Sequence, residues 1–336
     1  MSSVSVRDVA ALAGVSVGTV SNVLNRPDKV SEQALARVHD AIDRLGFVRN
    51  DAARQLRAGR SLNFGLIVLD AGNPFFSDLA RGAEDRAADD GLSVLLGNSG
   101  GDRTRESGYL DLFEKQRVSG VLLSPLGDSV ARLRQLRERG IPSVLVDRAA
   151  PGSPFSSVSV DDVSGGRIAA GHLLDTGRRR LAFVGGPHSI RQVSDRLSGA
   201  REAVAAAGAT LEVIPTAALT VLEGRAVGEA LAGRPEASRP DAVFCANDLV
   251  AVGMLQGLGI LQGVRVPADI AIIGYDDIAF AQSTVVPLSS VRQPARLIGR
   301  TGLEILLAES SVEAPLEPRH VVYQPELVVR ASTVPA

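Results

Sequence analysis

The chain has 336 residues, longer than one ordinary domain, and with 45% hydrophobic and 22% charged residues it is well supplied for sizeable cores. No run approaches the roughly 18 apolar residues of a membrane span; the N-terminus lacks a basic start followed by an apolar run, and Cys245, the single cysteine, excludes an internal disulfide framework, so cytoplasm is the expected compartment. The net charge of −2 is uneven: residues 1–60 carry nine Arg/Lys against six Asp/Glu, and the remaining 276 carry 27 against 32, a small basic head on an acidic body.

The first forty-odd residues read as short helices with tight turns. Ser5 opens a helix with Asp8 three residues on, a capping-box spacing, and Val6, Val9, Ala10 and Ala13 give it an apolar face. Gly14 supplies the turn, and Ser16 caps a second helix over 17–24 whose Val20, Val23 and Leu24 face inward. A third helix starts at Ser31, with Leu35, Val38, Ile42 and Leu45 on one stripe. Three short helices with this turn describe a helix-turn-helix head whose second helix enters the major groove. Its solvent side then presents Val17, Gly18, Ser21 and Asn22. Asn22 suits an adenine edge and Val17 a thymine methyl, while Gly18 brings backbone close to the bases. Ser5, Ser16, Thr19, Asn25 and Ser31 are expected phosphate contacts. A helical hairpin used for packing alone is the bland alternative. The polar face of helix two and the Arg-rich bridge at 46–61, GFVRNDAARQLRAGRS, weigh against it.

Beyond residue 62, apolar runs alternate with helical patterns. Strands are expected at 64–69, 92–96, 120–123, 143–146, 181–184, 242–245 and 270–273, and helices at 75–90, 104–117, 128–139, 194–207 and 248–260. Such alternation marks parallel sheets covered on both faces. The number of units exceeds one doubly wound sheet, and the break near 155–165 divides them into two. Uneven spacing and a hairpin-like tail at 319–330 favour two lobes over an eight-fold barrel. Polar residues recur just after the strands: Asp70, Asn98, Ser124, Asp147 with Arg148, Gly185 with Gly186, Asn247, and Asp276 with Asp277. Open α/β sheets bind ligands at that rim. Asn and Asp also favour turns and caps there, so no one of these residues is diagnostic alone.

Taken together, VRDVAALAGVSVGTVSNVLN (6–25) and VSEQALARVHDAIDRLGFVRNDAARQL (30–56) resemble the head of the LacI/GalR family of bacterial transcription regulators. NPFF (73–76), VDR (146–148), VDDVSGG (160–166), RLSG (196–199), CANDLVAVG (245–253), IIGYDD (272–277) and SVRQP (290–294) extend the resemblance over nearly the whole chain. It implies a homodimer on double-stranded operator DNA, an α/β core of two doubly wound parallel-sheet subdomains like a periplasmic binding protein, and a small effector such as a sugar. The implied organisation is a DNA-binding domain at 1–48, a hinge helix and linker at 49–61, one core subdomain at 62–161 plus 291–321, and the other at 162–290 plus 322–336. The hinge would carry Asn50, Ala53, Leu56 and Arg57, with Leu56 wedging a minor-groove base step. A helix that short is marginal alone in water. The implied effector site is Asn73, Phe75, Asp147, Asp161, Arg196, Asn247, Asp276 and Gln293, types that suit hydroxyl pairs. Phe75 and Phe76 are either sugar-stacking rings or core, and Asp147 and Arg148 either ligands or a mutual ion pair.

Three departures qualify the resemblance. TAALTVLEG (216–224) lacks an aromatic residue that relatives often have there. Gly18 and Asn22 replace longer side chains, so an operator sequence does not transfer. The tail VVRASTVPA has no leucine heptad for a tetramer-forming helix. Neither a metal nor a cofactor is implied: His39, His172, His188 and His320 have no ligand spacing, and neither G-x-G-x-x-G nor G-x-x-x-x-G-K-[ST] occurs. A rival enzyme reading takes Gly97-Asn98-Ser99-Gly100-Gly101 as an esterase's G-x-S-x-G, with Asp276 and His320 completing a triad. A transported-sugar binding protein without a DNA role is the other rival.

Overall fold

The computed structural model describes residues 4–47, 61–260, 262–311 and 317–334. The chain forms two compact units, 1–60 and 61–336. In the first, α1 (Val6–Ala13), α2 (Val17–Asn25) and α3 (Glu32–Leu45) enclose a small core of Val9, Ala10, Ala13, Val20, Val23, Val38 and Ala41. Ser5 and Asp8 form a reciprocal capping box, Ser16 caps α2 through Thr19 N–H, and Ser31 caps α3 through Ala34 N–H. Gly14 ends α1 in the left-handed conformation at φ 64°, which makes the tight turn possible. Leu35, Ile42 and Leu45 line the core only in part, and Ala34 and Ala41 complete the buried stripe of α3.

The second unit contains two parallel sheets. One has six strands in the order β11 (His320–Tyr323), β5 (Ser157–Val160), β4 (Ser143–Val146), β3 (Val121–Leu123), β1 (Asn63–Val68), β2 (Ser93–Asn98). The other runs β7 (Thr210–Ile214), β6 (Arg180–Val184), β8 (Ala242–Cys245), β9 (Ala271–Ile273). Each sheet places its first strand between its second and third, so the winding reverses there, the position where doubly wound sheets open a crevice. The eight-fold barrel is thereby ruled out. A short antiparallel pair, β10 (Ser290–Arg292) with β12 (Glu326–Val328), completes the strands.

Helices cover both faces of each sheet. In the first lobe α4 (Pro74–Ala88) and α11 (Ala295–Ser310) share one core with the sheet, and α5 (Arg103–Lys115) and α6 (Val130–Glu138) share the other. In the second, α7 (Asp162–Asp175) and α8 (Arg191–Ala206) lie opposite α9 (Val221–Ala232) and α10 (Asp248–Leu255). Paired helices cross at near-backbone contact. A Cβ on Gly166 of α7 would stand 1.9 Å from the Arg196 carbonyl oxygen, and one on Gly199 of α8 only 1.8 Å from that of Val163. The α4–α11 crossing repeats this with Gly82 and Gly299. The chain passes between lobes three times, at 160–162, 292–295 and 323–326. No helix among the described residues is long and apolar enough to cross a membrane.

The hairpin-like reading of 319–330 is corrected. β11 joins the six-stranded sheet beside β5 while β12 turns to the other lobe, with Pro325 between them unable to donate to a ladder. β5, β7 and β10 also escaped the sequence reading. β5 alternates serine with valine although all four residues are buried, β7 is a half-exposed edge strand, and β10 has three residues.

Candidate functional site

In the first unit, the start of α2 makes a polar surface. Val17, Gly18 and Asn22 are exposed, Val17 to 47%, and the Asn22 side chain makes no hydrogen bond among the described residues. Around them the hydroxyls serve the helix ends: Ser16 Oγ lies 2.9 Å from Thr19 Oγ1, Asn25 Nδ2 donates to the Ser21 carbonyl at 2.7 Å, and Ser5 Oγ bonds Asp8 at 2.7 Å. Ser31 is exposed at its cap. These caps fix where α2 begins, so its N–H groups and the free Asn22 amide point outward from a rigid base. Asn50, Ala53, Leu56 and Arg57 lie outside the described residues.

In the second unit, a cleft of about 380 Å³ opens at the carboxyl ends of both sheets. Six of the eight expected effector residues line it: Asn73, Phe75, Asp147, Arg196, Asn247 and Asp276. Each is placed by local structure. Asn73 caps α4 through Phe75 N–H and turns its Nδ2 to Asp276 Oδ2 at 3.0 Å. Asn247 caps α10 through Val250 N–H and donates to the Leu219 carbonyl. Asp147 and Asp276 follow β4 and β9 with positive φ, 58° and 106°, a region costly for residues other than glycine. The remaining two stand behind the wall. Asp161 caps α7 through Ser164 N–H, and Gln293 donates to Asp276 Oδ1 at 2.8 Å.

Arg196 is the centre of this floor. Its Nε donates to Asp162 Oδ1 at 2.8 Å, its Nη1 donates to the Ala246 carbonyl at 2.7 Å, and its guanidinium stacks 3.7 Å from the centroid of the Tyr275 ring. Burial works against its charge, but Asp162 above all, with Asp276 and Asp147, holds it firmly protonated. The acids shift upward in return. Burial raises Asp147 well above the carboxylate range, and repulsion from Asp162 adds to it against the pull of Arg196. Burial likewise raises Asp276 and Asp162, with Arg196 opposing both.

Several sequence alternatives resolve here. Asp147 and Arg148 form no ion pair: Gln192 Nε2 donates to Asp147 Oδ2 at 2.7 Å, while Arg148 donates to the Gly127 carbonyl at 2.8 Å. Phe75 and Phe76 are both core and cleft wall, packed edge to face at 5.0 Å. Leu219 stands on the wall of the segment that lacks an aromatic. The esterase constellation is not assembled. Ser99 is fully buried and donates to the Val68 carbonyl, whereas His320 Nδ1 bonds Ser157 at the far edge of the six-stranded sheet, five strand spacings or about 24 Å away.

The sequence reading passed over Asp162, Gln192 and Tyr275. Two signals were available. Either member of Asp161-Asp162 fits the cap before Ser164, leaving the other to turn inward, and Gln192 sits one helical turn before Arg196 on the same face. Nothing in the pattern around Tyr275 marks it beyond a buried aromatic.

Comparison with known proteins follows the same division. Residues 5–50 match the profile described as bacterial regulatory proteins, lacI family, and residues 170–333 that of the periplasmic binding protein-like domain. The chain is 33% identical over 332 residues to the HTH-type transcriptional repressor PurR of Vibrio campbellii, covering 97% of each. Among solved structures it is similar to the complex of the transcriptional regulator CelR with cellobiose, at 34% identity and TM-score 0.72, covering 98% of this chain and 99% of that one. It is also similar to the lac repressor dimer bound to operator and the anti-inducer ONPF, at 27% identity and TM-score 0.82, covering 99% of each.

Proposed function

The chain belongs to the lacI family of bacterial regulatory proteins, and from that premise we propose a cytoplasmic repressor that grips a near-palindromic operator as a homodimer and changes its grip when a small carbohydrate occupies the cleft. The observation that carries this reading is the coexistence in one chain of an exposed, capped recognition helix with an unengaged Asn22 and a polar cleft built around Arg196. Ser5, Ser16, Thr19, Asn25 and Ser31 fix the head on phosphates, Val17, Gly18, Ser21 and Asn22 face the bases, and Asn50, Ala53, Leu56 and Arg57 form a hinge that pairs with its symmetry mate in the minor groove. Effector bound against Asn73, Phe75, Asp147, Arg196, Asn247 and Asp276 alters the angle between lobes, with Asp161 and Gln293 holding the floor from behind. Exposed Leu95 and Leu96 on the edge strand β2, with Phe280 and Val285 in the second lobe, support pairing with a second copy, since such edges need cover. By linkage, an effector that weakens operator binding is itself held less tightly by operator-bound protein.

The test is footprinting on sequences selected from a random pool, with and without candidate sugars. A symmetric protected site whose affinity shifts with one sugar is the expected result. Binding without sequence preference at every salt concentration overturns the reading.

A further inference from the structure

The Asp276-Asp277 dipeptide after β9 faces two ways. Asp276 lines the cleft, whereas Asp277 turns back onto the strands that join the lobes. Its Oδ2 accepts from Arg292 Nε at 2.8 Å, with Arg292 Nη2 equally close. Its Oδ1 stands 2.7 Å from Arg330 Nη1 as an ion pair, while that nitrogen donates its hydrogen bond to the Leu288 carbonyl. The backbone adds two links to β10: Asp277 N–H donates to Ser290 Oγ at 3.0 Å, and Asp276 N–H donates to the Val291 carbonyl at 2.9 Å. Both arginines flank a natural break in the chain. Arg292 and Glu326 are opposite partners at the end of the β10–β12 pairing. Toward the first lobe, the next residues are Gln293-Pro294 on one strand and Gln324-Pro325 on the other. Proline has no N–H with which to extend a ladder, and α11 and β11 of the first lobe lie just beyond.

From this geometry we infer that Asp277 is a positioning residue for the lobe response. By pinning Arg292 and Arg330 it fixes two of the three connecting strands to the second lobe, and it thereby sets the pivot at Gln293-Pro294 and Gln324-Pro325. The inference rests on the regulator reading above and names the residue that defines where the lobe angle changes. β10 and β12 have three residues each and form a two-stranded ribbon, which has little rigidity of its own. Without the pin, the ribbon bends along its length and the lobe angle spreads over many values. The cleft reaches this pivot through the adjacent residue. Gln293, inside the pivot, donates to Asp276 Oδ1 at 2.8 Å, so a ligand that draws on Asp276 pulls on the pivot as well. A stabilising role alone would explain little, because Arg292 is half exposed and pairs of that kind add little to folding. What the carboxylate supplies is a fixed end for two strands.

The experiment measures the distance between the lobes in the full chain, with no ligand needed. Spin labels are placed at Arg134→Cys on α6 and Arg201→Cys on α8, both exposed, while the native Cys245 is fully buried. An excess of unlabelled chain keeps each measured pair within one subunit, and pulsed electron resonance gives the distance distribution. Gln192→Ala is included as a background, because it removes the cross-cleft bond to Asp147 that would otherwise help hold the lobes. In that background, Arg292→Gln and Asp277→Asn are each expected to widen the distribution by about half or more, Arg292→Gln with an unchanged Tm. Their double variant should be no wider than Asp277→Asn alone, since both remove one link. Glu326→Gln, which deletes only the 3.7 Å contact to Arg292, should leave the width as it was. Unchanged widths in Arg292→Gln and Asp277→Asn overturn the inference, as does equal widening by Glu326→Gln. Footprinting of the unlabelled wild-type chain separates the two readings. A chain that recognises no operator yet widens as described sinks the regulator reading alone, whereas unchanged widths in a chain that recognises one sink this inference alone.

Discussion

Replacing Gly166 by alanine tests whether the effector floor depends on how closely two helices cross. The added Cβ would lie 1.9 Å from the Arg196 carbonyl oxygen, while real contacts begin at 3.0–3.4 Å. The α7 and α8 backbones must therefore part by roughly 1–1.5 Å, and overpacking of this kind costs about 1–3 kcal/mol. The displacement falls on the residue that organises the site. Asp162 begins α7 and Arg196 sits in α8, so their 2.8 Å bond stretches toward 4 Å and leaves two buried charges poorly compensated. Breaking such a pair outright costs about 3–5 kcal/mol. For a unit of this size the combined loss lowers Tm by about 5–15 °C. Gly171, also in α7, is the internal control, because a Cβ there meets nothing within 4 Å. Gly171→Ala is expected to stabilise by about 0.5–1 kcal/mol through the helix preference for alanine. Thermal unfolding and sugar titration of both variants decide the matter. If Gly166→Ala melts with Gly171→Ala and binds sugar like wild type, the crossing does not set the site and the reasoning fails.

Four further outcomes follow from the same geometry. Burial raises the Asp147 pKa, so the folded state holds a proton that the unfolded state releases, and stability falls as pH rises above the ordinary carboxylate range; Asp147→Asn should therefore gain Tm over wild type progressively as pH rises above that range, and a pH-independent difference would contradict this. Asn22→Ala should relax preference at one position of each half-site by about 1–3 kcal/mol, read by binding to a mutated operator series; an unchanged base profile removes Asn22 as a reader. Leu56→Ala should weaken operator affinity strongly while sugar binding is unaltered, and wild-type gel shifts would discard the minor-groove wedge. Ser99→Ala should leave DNA and sugar binding intact and lower stability by about 0.5–1.5 kcal/mol for the lost bond to the Val68 carbonyl; a hydrolase activity that vanishes with it would restore the esterase.

Much of this architecture was legible because it rests on local rules. Caps at Ser5, Ser16 and Ser31 and the turn at Gly14 are short-range signals, and the head follows them closely. The central strands announce themselves as unbroken apolar runs since both their faces are covered. β5 and β7 were hidden for opposite reasons, one buried despite its serines and the other an edge with mixed exposure. At the site, resemblance supplied the residues that touch the cleft, but division of labour is a tertiary matter. Asp161 and Asp162 are adjacent in sequence and similar in chemistry, and only the phase of α7 sends one to a helix cap and the other to Arg196. That Gln192, rather than Arg148, engages Asp147 likewise depends on two lobes meeting.

The glycine crossings carry a mechanical consequence. Helices seated backbone on backbone have little side-chain padding to compress, so each lobe resists internal shear and turns as a solid block. Compliance is then left to the three slender passages of chain that join the blocks. A ligand that pulls on Asp147 from one block and Arg196 from the other would spend its energy on rotation about those passages, and little would dissipate as distortion within either block.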